Sequence, residues 1–337
     1  MKVLVTGSSG HLGEALIRTL QARGDEAVGI DIKPSPFTDR VGSIADAAFV
    51  AACMDGGIDA VLHTATLHKP HVETHTRQQF VDTNISGTLN LLEAAVKAGV
   101  RAFVYTSTTS AFGAALTPPA DAPAAWITEA VVPVSKNIYG ATKLAAEDLC
   151  QLFHRLHRLP CVMLRTSRFF PEADDDSTAR AAFADTNLKL NEFLHRRVEI
   201  EDVVGAHLLA IERAAAIGHG CYIISATTPF LPTDAAALRR DPTALLRERL
   251  PQYAAEYARR GWRMADSLDR VYDNRLAREQ LGWQPRWNFA ALIARLARDE
   301  DWRSPLALVV GRKPYHDAPP AGPGPYPVGT RPASSHS

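Results

Sequence analysis

Tyr139 and Lys143 stand four apart in YGATK, inside a stretch patterned as helix, NIYGATKLAAEDLCQLFHRLH, so their side chains leave one face. A phenol beside an ammonium makes an acid/base pair. The cation favours the phenolate and draws a pKa that is ordinarily about 10 toward the range useful for proton transfer. On spacing alone, the pair equally fits two residues on a solvent-facing helix. A second group opens the chain, where TGSSGHLG spaces Gly7, Gly10 and Gly13 three apart between a strand and a helix. Missing side chains there let the backbone approach a pyrophosphate, whose charge the helix N-terminus favours. The plain alternative is a glycine turn that holds nothing. Asp31 ends the second strand in AVGIDIKP, where a carboxylate accepts from adenosine ribose hydroxyls and repels a 2′-phosphate. That position favours NAD over NADP, with Lys33 nearby as a cation able to reach a phosphate instead.

The remaining reactive residue types point to little else. His63, His68, His71 and His75 crowd one loop, yet metal sites usually add a carboxylate or thiolate at fixed spacing. We read them as a solvated loop lining a pocket edge, with one or two within reach of substrate, and expect no metal. Cys53, Cys150, Cys161 and Cys221 lack CxxC spacing and read as buried thiols in a reducing compartment.

Elements able to position these residues follow in order. KVLVT, AVGID, IDAVLHTA, AFVYTST and CVMLRTS are β-branched runs that alternate with helical patterns, which predicts right-handed βαβ units and a doubly wound parallel sheet. A Pro- and Ala-rich loop covers residues 114–135. Residues 168–197 read as a loop and one helix, and EDVVGAHLLAIERAAAIG with CYIISAT completes the sheet. The expected division is a dinucleotide-binding domain over residues 1–167 plus 198–228, a smaller, mostly helical substrate lobe over 168–197 plus 229–312, and a Pro/Gly-rich tail over 313–337.

Composition narrows the function class. The 337 residues carry 37 basic and 37 acidic side chains and are 46% hydrophobic, so there is a sizeable core and no basic footprint for nucleic acid. No apolar run reaches membrane-spanning length and VLV is too short for a signal peptide, so the expected location is cytoplasmic. A small-molecule partner is expected.

TGSSGHLG, Asp31, HTAT at 63–66, NISGT at 84–88, STTSAFG at 107–113 and YGATK occur in that order. Together they resemble the extended short-chain dehydrogenase/reductase superfamily in its NAD-dependent epimerase/dehydratase branch, over roughly residues 1–300, with DNRLAREQLGWQP as its closing segment. The resemblance implies a Rossmann-type fold, NAD as cofactor, and a catalytic set in which Tyr139 is the general acid/base, Lys143 binds the nicotinamide ribose and tunes it, and Thr108 positions the substrate oxygen. It implies that the glycine loop holds the dinucleotide through Gly7, Ser9, Gly10, His11, Leu12 and Gly13, and that Asp31 and Ile32 take the adenosine ribose. Ser43 and Ile44 fall beside the adenine, Ser43 standing where relatives usually carry an Asp. Thr64, Ala65 and Thr66 resemble the family's His-x-Ala-Ala loop, while Thr106, Ser107 and Thr166 fall on the cofactor side of the strand ends. Asn84 either touches the cofactor region or braces its helix. A homodimer is implied through the helices containing residues 84–98 and 139–157.

Departures from the family direct the choice of substrate. LRTSRFF places Arg168 where sugar-nucleotide members carry an amide, and the insertion before NEFLHRRVEIEDVV is short. The pocket is therefore expected to be small, with Arg168 facing a polar or anionic substrate group or pairing with Glu172 or the acidic run 174–176. Thr109 and Ser110 follow Thr108 where dehydratases carry acidic groups, so elimination is disfavoured and Thr108 and Thr109 are expected to contact substrate. The expected activity is NAD-dependent oxidation or reduction of a small hydroxy or carbonyl compound. A sugar-nucleotide 4-epimerase and a non-catalytic NAD(H) sensor are the alternatives.

Overall fold

The computed structural model describes residues 1–174 and 176–313. Its strands are β1 (Lys2–Thr6), β2 (Glu26–Asp31), β3 (Arg40–Val41), β4 (Ala60–His63), β5 (Ala102–Thr108), β6 (Ala125–Ile127), β7 (Cys161–Thr166), β8 (His219–Ile224) and β9 (Arg270–Tyr272). Its first eight helices are α1 (His11–Ala22), α2 (Ala47–Met54), α3 (Arg77–Phe80), α4 (Gly87–Ala98), α5 (Ile138–His157), α6 (Ser177–Ala182), α7 (Asp185–Phe193) and α8 (Ile200–Ile217).

Seven strands form one parallel sheet in the order β3-β2-β1-β4-β5-β7-β8. This is the doubly wound Rossmann-type arrangement expected from the alternation of runs. The period of two decides which residue faces which layer. Val3, Val5, Leu62, Val104, Val162 and Leu164 share a core with α1 and α8 on one face. Leu4, Val61, Phe103, Tyr105 and Met163 point the other way, into α2, α4 and α5. Strand order reverses between β1 and β4, and the crevice beyond their C-terminal ends is where open α/β sheets bind ligands.

The smaller core gathers Leu190, Phe193, Leu194, Phe230, Leu238, Tyr257 and Phe289. Two features differ from the pattern in the sequence. The Pro-rich stretch 114–135 contributes β6, which pairs in parallel with β9 as a separate two-stranded sheet. Residues 168–197 hold two helices instead of one, because Asp176 caps α6 by accepting from the Thr178 and Ala179 N–H groups. The chain then returns to the first core: Ala277, Leu281, Trp283 and Val310 pack with α8, and the Trp283 indole donates to the Asp202 carbonyl at 2.9 Å. Among the described residues no helix is long and apolar enough to cross a membrane. Apart from Lys313, the Pro/Gly-rich tail lies outside the described residues.

The β1–α1 turn admits no side chain at two glycines. Gly7 has φ +72°, and a Cβ there would stand 2.8 Å from the Ala65 nitrogen; one at Gly13 would stand 2.0 Å from the Gly7 carbonyl oxygen. Gly13→Ala must therefore push α1 away from the loop. We expect a lower Tm and NADH binding weakened at least about tenfold in a fluorescence titration, ~1.4 kcal/mol; wild-type affinity would show that the loop holds no dinucleotide.

Candidate active site

Helix α1 begins at Gly10 with no side-chain cap, which leaves first-turn N–H groups directed at the mouth of the crevice. Beside it the Asp31 carboxylate accepts from the Ser9 N–H (3.0 Å) and the Lys33 N–H (2.9 Å), so β2 and the glycine loop are tied at one point. The opposite wall is the turn after β4. Thr6 Oγ1 accepts from the Thr64 and Ala65 N–H groups (3.1 and 3.0 Å), and Thr64 Oγ1 donates to the Thr6 carbonyl at 2.6 Å. Asn84 sits in a π-helical turn, Val81–Ser86, and its amide is fully engaged. Its oxygen accepts from Thr66 Oγ1 and the Leu67 N–H, and its nitrogen donates to the Leu67 carbonyl and Thr142 Oγ1. This side chain braces the loop against α5. One cavity of about 1050 Å³ runs from Gly7, Ser9, Asp31, Ile32, Ser43 and Ile44 past Thr64–Thr66 to Thr108, Tyr139 and Arg168.

Asn137 caps α5 by accepting from the Gly140 N–H at 3.0 Å, and this fixes Tyr139 in the first turn, over the end of β5. Tyr139 lines the cavity beside Thr108, whose Oγ1 accepts from the Ser110 N–H at 3.0 Å. Burial pushes the Tyr139 phenol up to about 12, against a smaller lowering effect of Thr108. The spacing predicted the opposite direction, a phenol lowered by Lys143. The ammonium is engaged elsewhere: Nζ donates to the Thr106 carbonyl at 2.6 Å and lies 4.1 Å from the centre of the Tyr105 ring. Burial lowers Lys143 to about 7, against the raising effect of Glu147 and Cys150.

Behind this pair lies a network with no local signature in the sequence. Glu147, one turn beyond Lys143, accepts from Arg165 of β7 through Nε (3.0 Å) and Nη2 (2.6 Å), and from Ser107 Oγ at 2.5 Å. Ser107 is thus turned toward α5. Thr106 Oγ1 is hydrogen-bonded to His207 Nε2 at 2.8 Å, and Thr166 Oγ1 donates to the Ser107 carbonyl at 3.0 Å, so three strand-end hydroxyls serve the framework. Thr109 is buried at the cavity wall.

Arg168 reaches the cavity with its side chain 23% exposed, and it also makes ion pairs with Asp174 and with Glu192 at 3.1 Å. Glu192 further pairs with Arg196 and Arg197, each at 2.9 Å. Burial alone would raise its carboxyl, but the three guanidiniums hold it at about 2.

The histidines separate. His63 belongs to the core, its ring hydrogen-bonded to Thr6 Oγ1 and Thr88 Oγ1, each at 2.9 Å. His68, His71 and His75 line the cavity, and the His68 ring stacks on Tyr139 with centroids 5.9 Å apart. Among the described residues no group of histidine, cysteine and acidic side chains is arranged to hold a metal. Arg270 and Tyr272 of β9 close the far wall. No local motif marks them, because the β6–β9 pairing that brings them there spans well over a hundred residues.

Such a fold, with a glycine turn, a strand-end carboxylate and a Tyr-Lys helix on one crevice, defines a dinucleotide-dependent α/β enzyme. Residues 3–224 match the model of the NAD dependent epimerase/dehydratase family, and the chain belongs to that family, within the short-chain dehydrogenase/reductase superfamily. It is similar to a UDP-glucose 4-epimerase of Streptomyces lividans, 26% identical over 352 residues, 95% of this chain and 98% of that one. A 3-beta-hydroxysteroid dehydrogenase of Mycolicibacterium neoaurum is 40% identical over 119 residues. That match covers 32% of this chain and spans about a third, 32%, of the relative's length. A solved structure of a short-chain dehydrogenase/reductase superfamily protein from Agrobacterium tumefaciens, with bound NAD, superposes with a TM-score of 0.61 at 26% identity, over 89% of this chain and 99% of that one.

The Lys143 environment gives a pH test. Its ordinary pKa is 10.5 and its folded value about 7, so between these limits the unfolded chain binds more protons and stability rises with pH. Denaturation without added dinucleotide, compared with Lys143→Met, isolates this contribution from other titrations. We expect wild-type stability to gain on the variant as pH rises from about 7 to 10.5; parallel profiles would contradict a depressed Lys143.

Proposed function

We propose that the protein exchanges hydride between NAD and a small hydroxy or carbonyl substrate, with Tyr139 as general acid/base. The supporting observation is that Thr108, Tyr139 and Lys143 line the cavity that also contains the glycine turn and Asp31. In this reading the α1 first turn takes the pyrophosphate and Asp31 the adenosine ribose. The remaining proposed cofactor contacts come from the loops carrying Ser43, Ile44 and Thr64–Thr66, and Lys143 holds the nicotinamide ribose. NAD supplies the hydride acceptor or donor and, when oxidised, a positive charge that favours the phenolate. In the oxidising direction Tyr139 takes the substrate hydroxyl proton as the C–H bond gives up its hydride, and in reduction it returns the proton. Thr108 orients that oxygen. Thr109 and Arg168 complete the substrate wall, with the Asp174 and Glu192 pairs fixing where the guanidinium stands.

Ligand pockets commonly enclose ~300–1,000 Å³, and this cavity of about 1050 Å³ must take dinucleotide and substrate together. A small, sugar-like substrate fits that space better than a second nucleotide. The full-length similarity to UDP-glucose 4-epimerase keeps 4-epimerisation, in which hydride returns to the opposite face, as the second reading. We also propose a cytoplasmic homodimer that pairs through α4 and α5, as the family resemblance implies.

Screening polyols, sugar acids, hydroxy acids and ketones with NAD(H) tests this. We expect net NADH formation with at least one class, and Tyr139→Phe to lower kcat ~100-fold or more while NADH affinity stays within about twofold. Isomerisation without added NAD would favour the epimerase, and a dinucleotide-dependent response that survives Tyr139→Phe would favour a sensor. Arg168→Ala should raise KM for the substrate identified; an unchanged KM would confine Arg168 to its ion pairs.

A further inference from the structure

Strand alternation brings Arg270 into the cavity wall. On β9 the Val271 side chain is fully buried in the smaller core, while its neighbours Arg270 and Tyr272 both line the cavity. The Arg270 side chain is 15% exposed, and the bonds it makes leave from one nitrogen. Its Nη1 donates to Asp269 Oδ2 at 2.7 Å and to the Leu116 carbonyl at 3.3 Å. Leu116 belongs to the loop that follows β5 and also lines the cavity, so the chain beyond Thr108 orients this guanidinium. Among the described residues nothing accepts from Nη2.

Backbone pairing among three distant segments sets two more guanidiniums beside it. Arg168 bridges in parallel to Arg197, and the Val198 N–H donates to the Arg168 carbonyl at 3.0 Å. His195 is clasped to β9 in turn: its carbonyl accepts from the Tyr272 N–H and its Nδ1 donates to the Arg270 carbonyl, each at 3.0 Å. Arg168, Arg196 and Arg270 consequently share one wall of the cavity. Phe170 lies 6.0 Å from the His68 ring, which stacks at 5.9 Å on Tyr139, so this wall adjoins the proposed reaction centre. In it Arg168, Arg196, Arg197 and Arg270 meet the carboxylates of Asp174, Glu192 and Asp269, which leaves an excess of one positive charge. His195 adds none, because burial first, and then the Arg196 and Arg270 charges, push its pKa well below the ordinary range. Among the described residues the only acidic side chains lining the cavity are Asp31, tied to the glycine loop, and Asp82.

We propose that Arg270 holds a carboxylate of the substrate, which makes the substrates small hydroxy acids with a single carboxylate. This rests on the hydride-transfer reading and names its substrate class. A guanidinium donates to a carboxylate through charge-assisted hydrogen bonds, the geometry for which arginine is better suited than lysine. The excess of one charge matches a monoanion. A neutral polyol in the same place would cover the Arg270 charge without compensating it, and covering an unpaired charge is unfavourable.

Two measurements on the full chain test the proposal. In the first, the NADH-loaded protein is titrated calorimetrically with glycerate, gluconate and glucuronate and with their neutral counterparts glycerol, glucitol and glucose. We expect wild type to bind at least one acid about tenfold or more tightly than its counterpart, Arg270→Gln to lose that ratio, and Arg270→Lys to keep part of it. A ratio near one for every pair, or a ratio that survives Arg270→Gln, would overturn the proposal. Inorganic phosphate that binds more tightly than every acid and displaces them would overturn it too, since the wall would then be built for a phosphate. The wild-type ratios decide the matter even where Arg270→Gln fails to fold. The second measurement is steady-state oxidation of the same pairs with NAD. We expect the acid preference to appear in kcat/KM and Arg270→Gln to lose it through KM; an equal fall of kcat on acid and neutral compound would make Arg270 a structural residue and overturn the proposal. Acids that bind without turnover would uphold the carboxylate site and count against hydride transfer, whereas turnover of neutral compounds alone would uphold hydride transfer and overturn the carboxylate site.

Discussion

The buried ammonium of Lys143 is the constraint on which the rest of the site depends. Burying an ammonium costs free energy that its surroundings here offset only in part, which is why its pKa falls. The offsetting groups come from several elements: the Thr106 carbonyl and Tyr105 ring from β5, the charge of Glu147 from the next turn of α5, and through Glu147 the Arg165 guanidinium of β7. Satisfying Lys143 therefore presses one face of α5 onto two neighbouring strands. Tyr139 lies one turn before Lys143 on the same face, so docking the helix sets the phenol at the C-terminal end of β5, beside Thr108. The Tyr139 phenol sits at the end of a fastening that is itself electrostatic.

The opposite wall is fastened by hydroxyl groups. Thr6, at the end of β1, holds the turn after β4 through the Thr64 and Ala65 N–H groups and the His63 ring. Asn84 then joins that turn to Thr142 of α5. Both walls consequently meet on one helix, and the crevice at the strand-order reversal has a fixed width at its centre. Its outer edge is lined by Arg270 and Tyr272 of β9 and by Arg168, Phe169, Phe170 and Ala173.

Legibility in the sequence followed the range of the interaction. The parallel sheet was readable because alternation along KVLVT or AFVYTST is local, and the glycine turn because Gly7 and Gly13 answer contacts only a few residues away. The placement of Tyr139 and Lys143 on one helix face was likewise a matter of spacing. What Lys143 touches was not: its partner is a backbone carbonyl on another strand, and the Tyr139 phenol is raised by burial that only the assembled fold produces. That the Ser107 hydroxyl donates to Glu147, forty residues on, was equally unreadable. The four clustered histidines looked alike, although strand register sends His63 into the core while His68, at the start of a 3₁₀ turn, lines the cavity. The β6–β9 pair joins segments too short and too distant to announce themselves.

A crystal structure of the protein with NAD bound tests the central claim most directly. We expect the ribose hydroxyls of the adenosine on Asp31, the pyrophosphate over the first turn of α1, and the reactive nicotinamide carbon close enough to the Tyr139 hydroxyl for a substrate carbon–oxygen bond to bridge them at reacting distances of ~3.5 Å. A dinucleotide seated outside this crevice, or one whose nicotinamide points away from Tyr139, would contradict it.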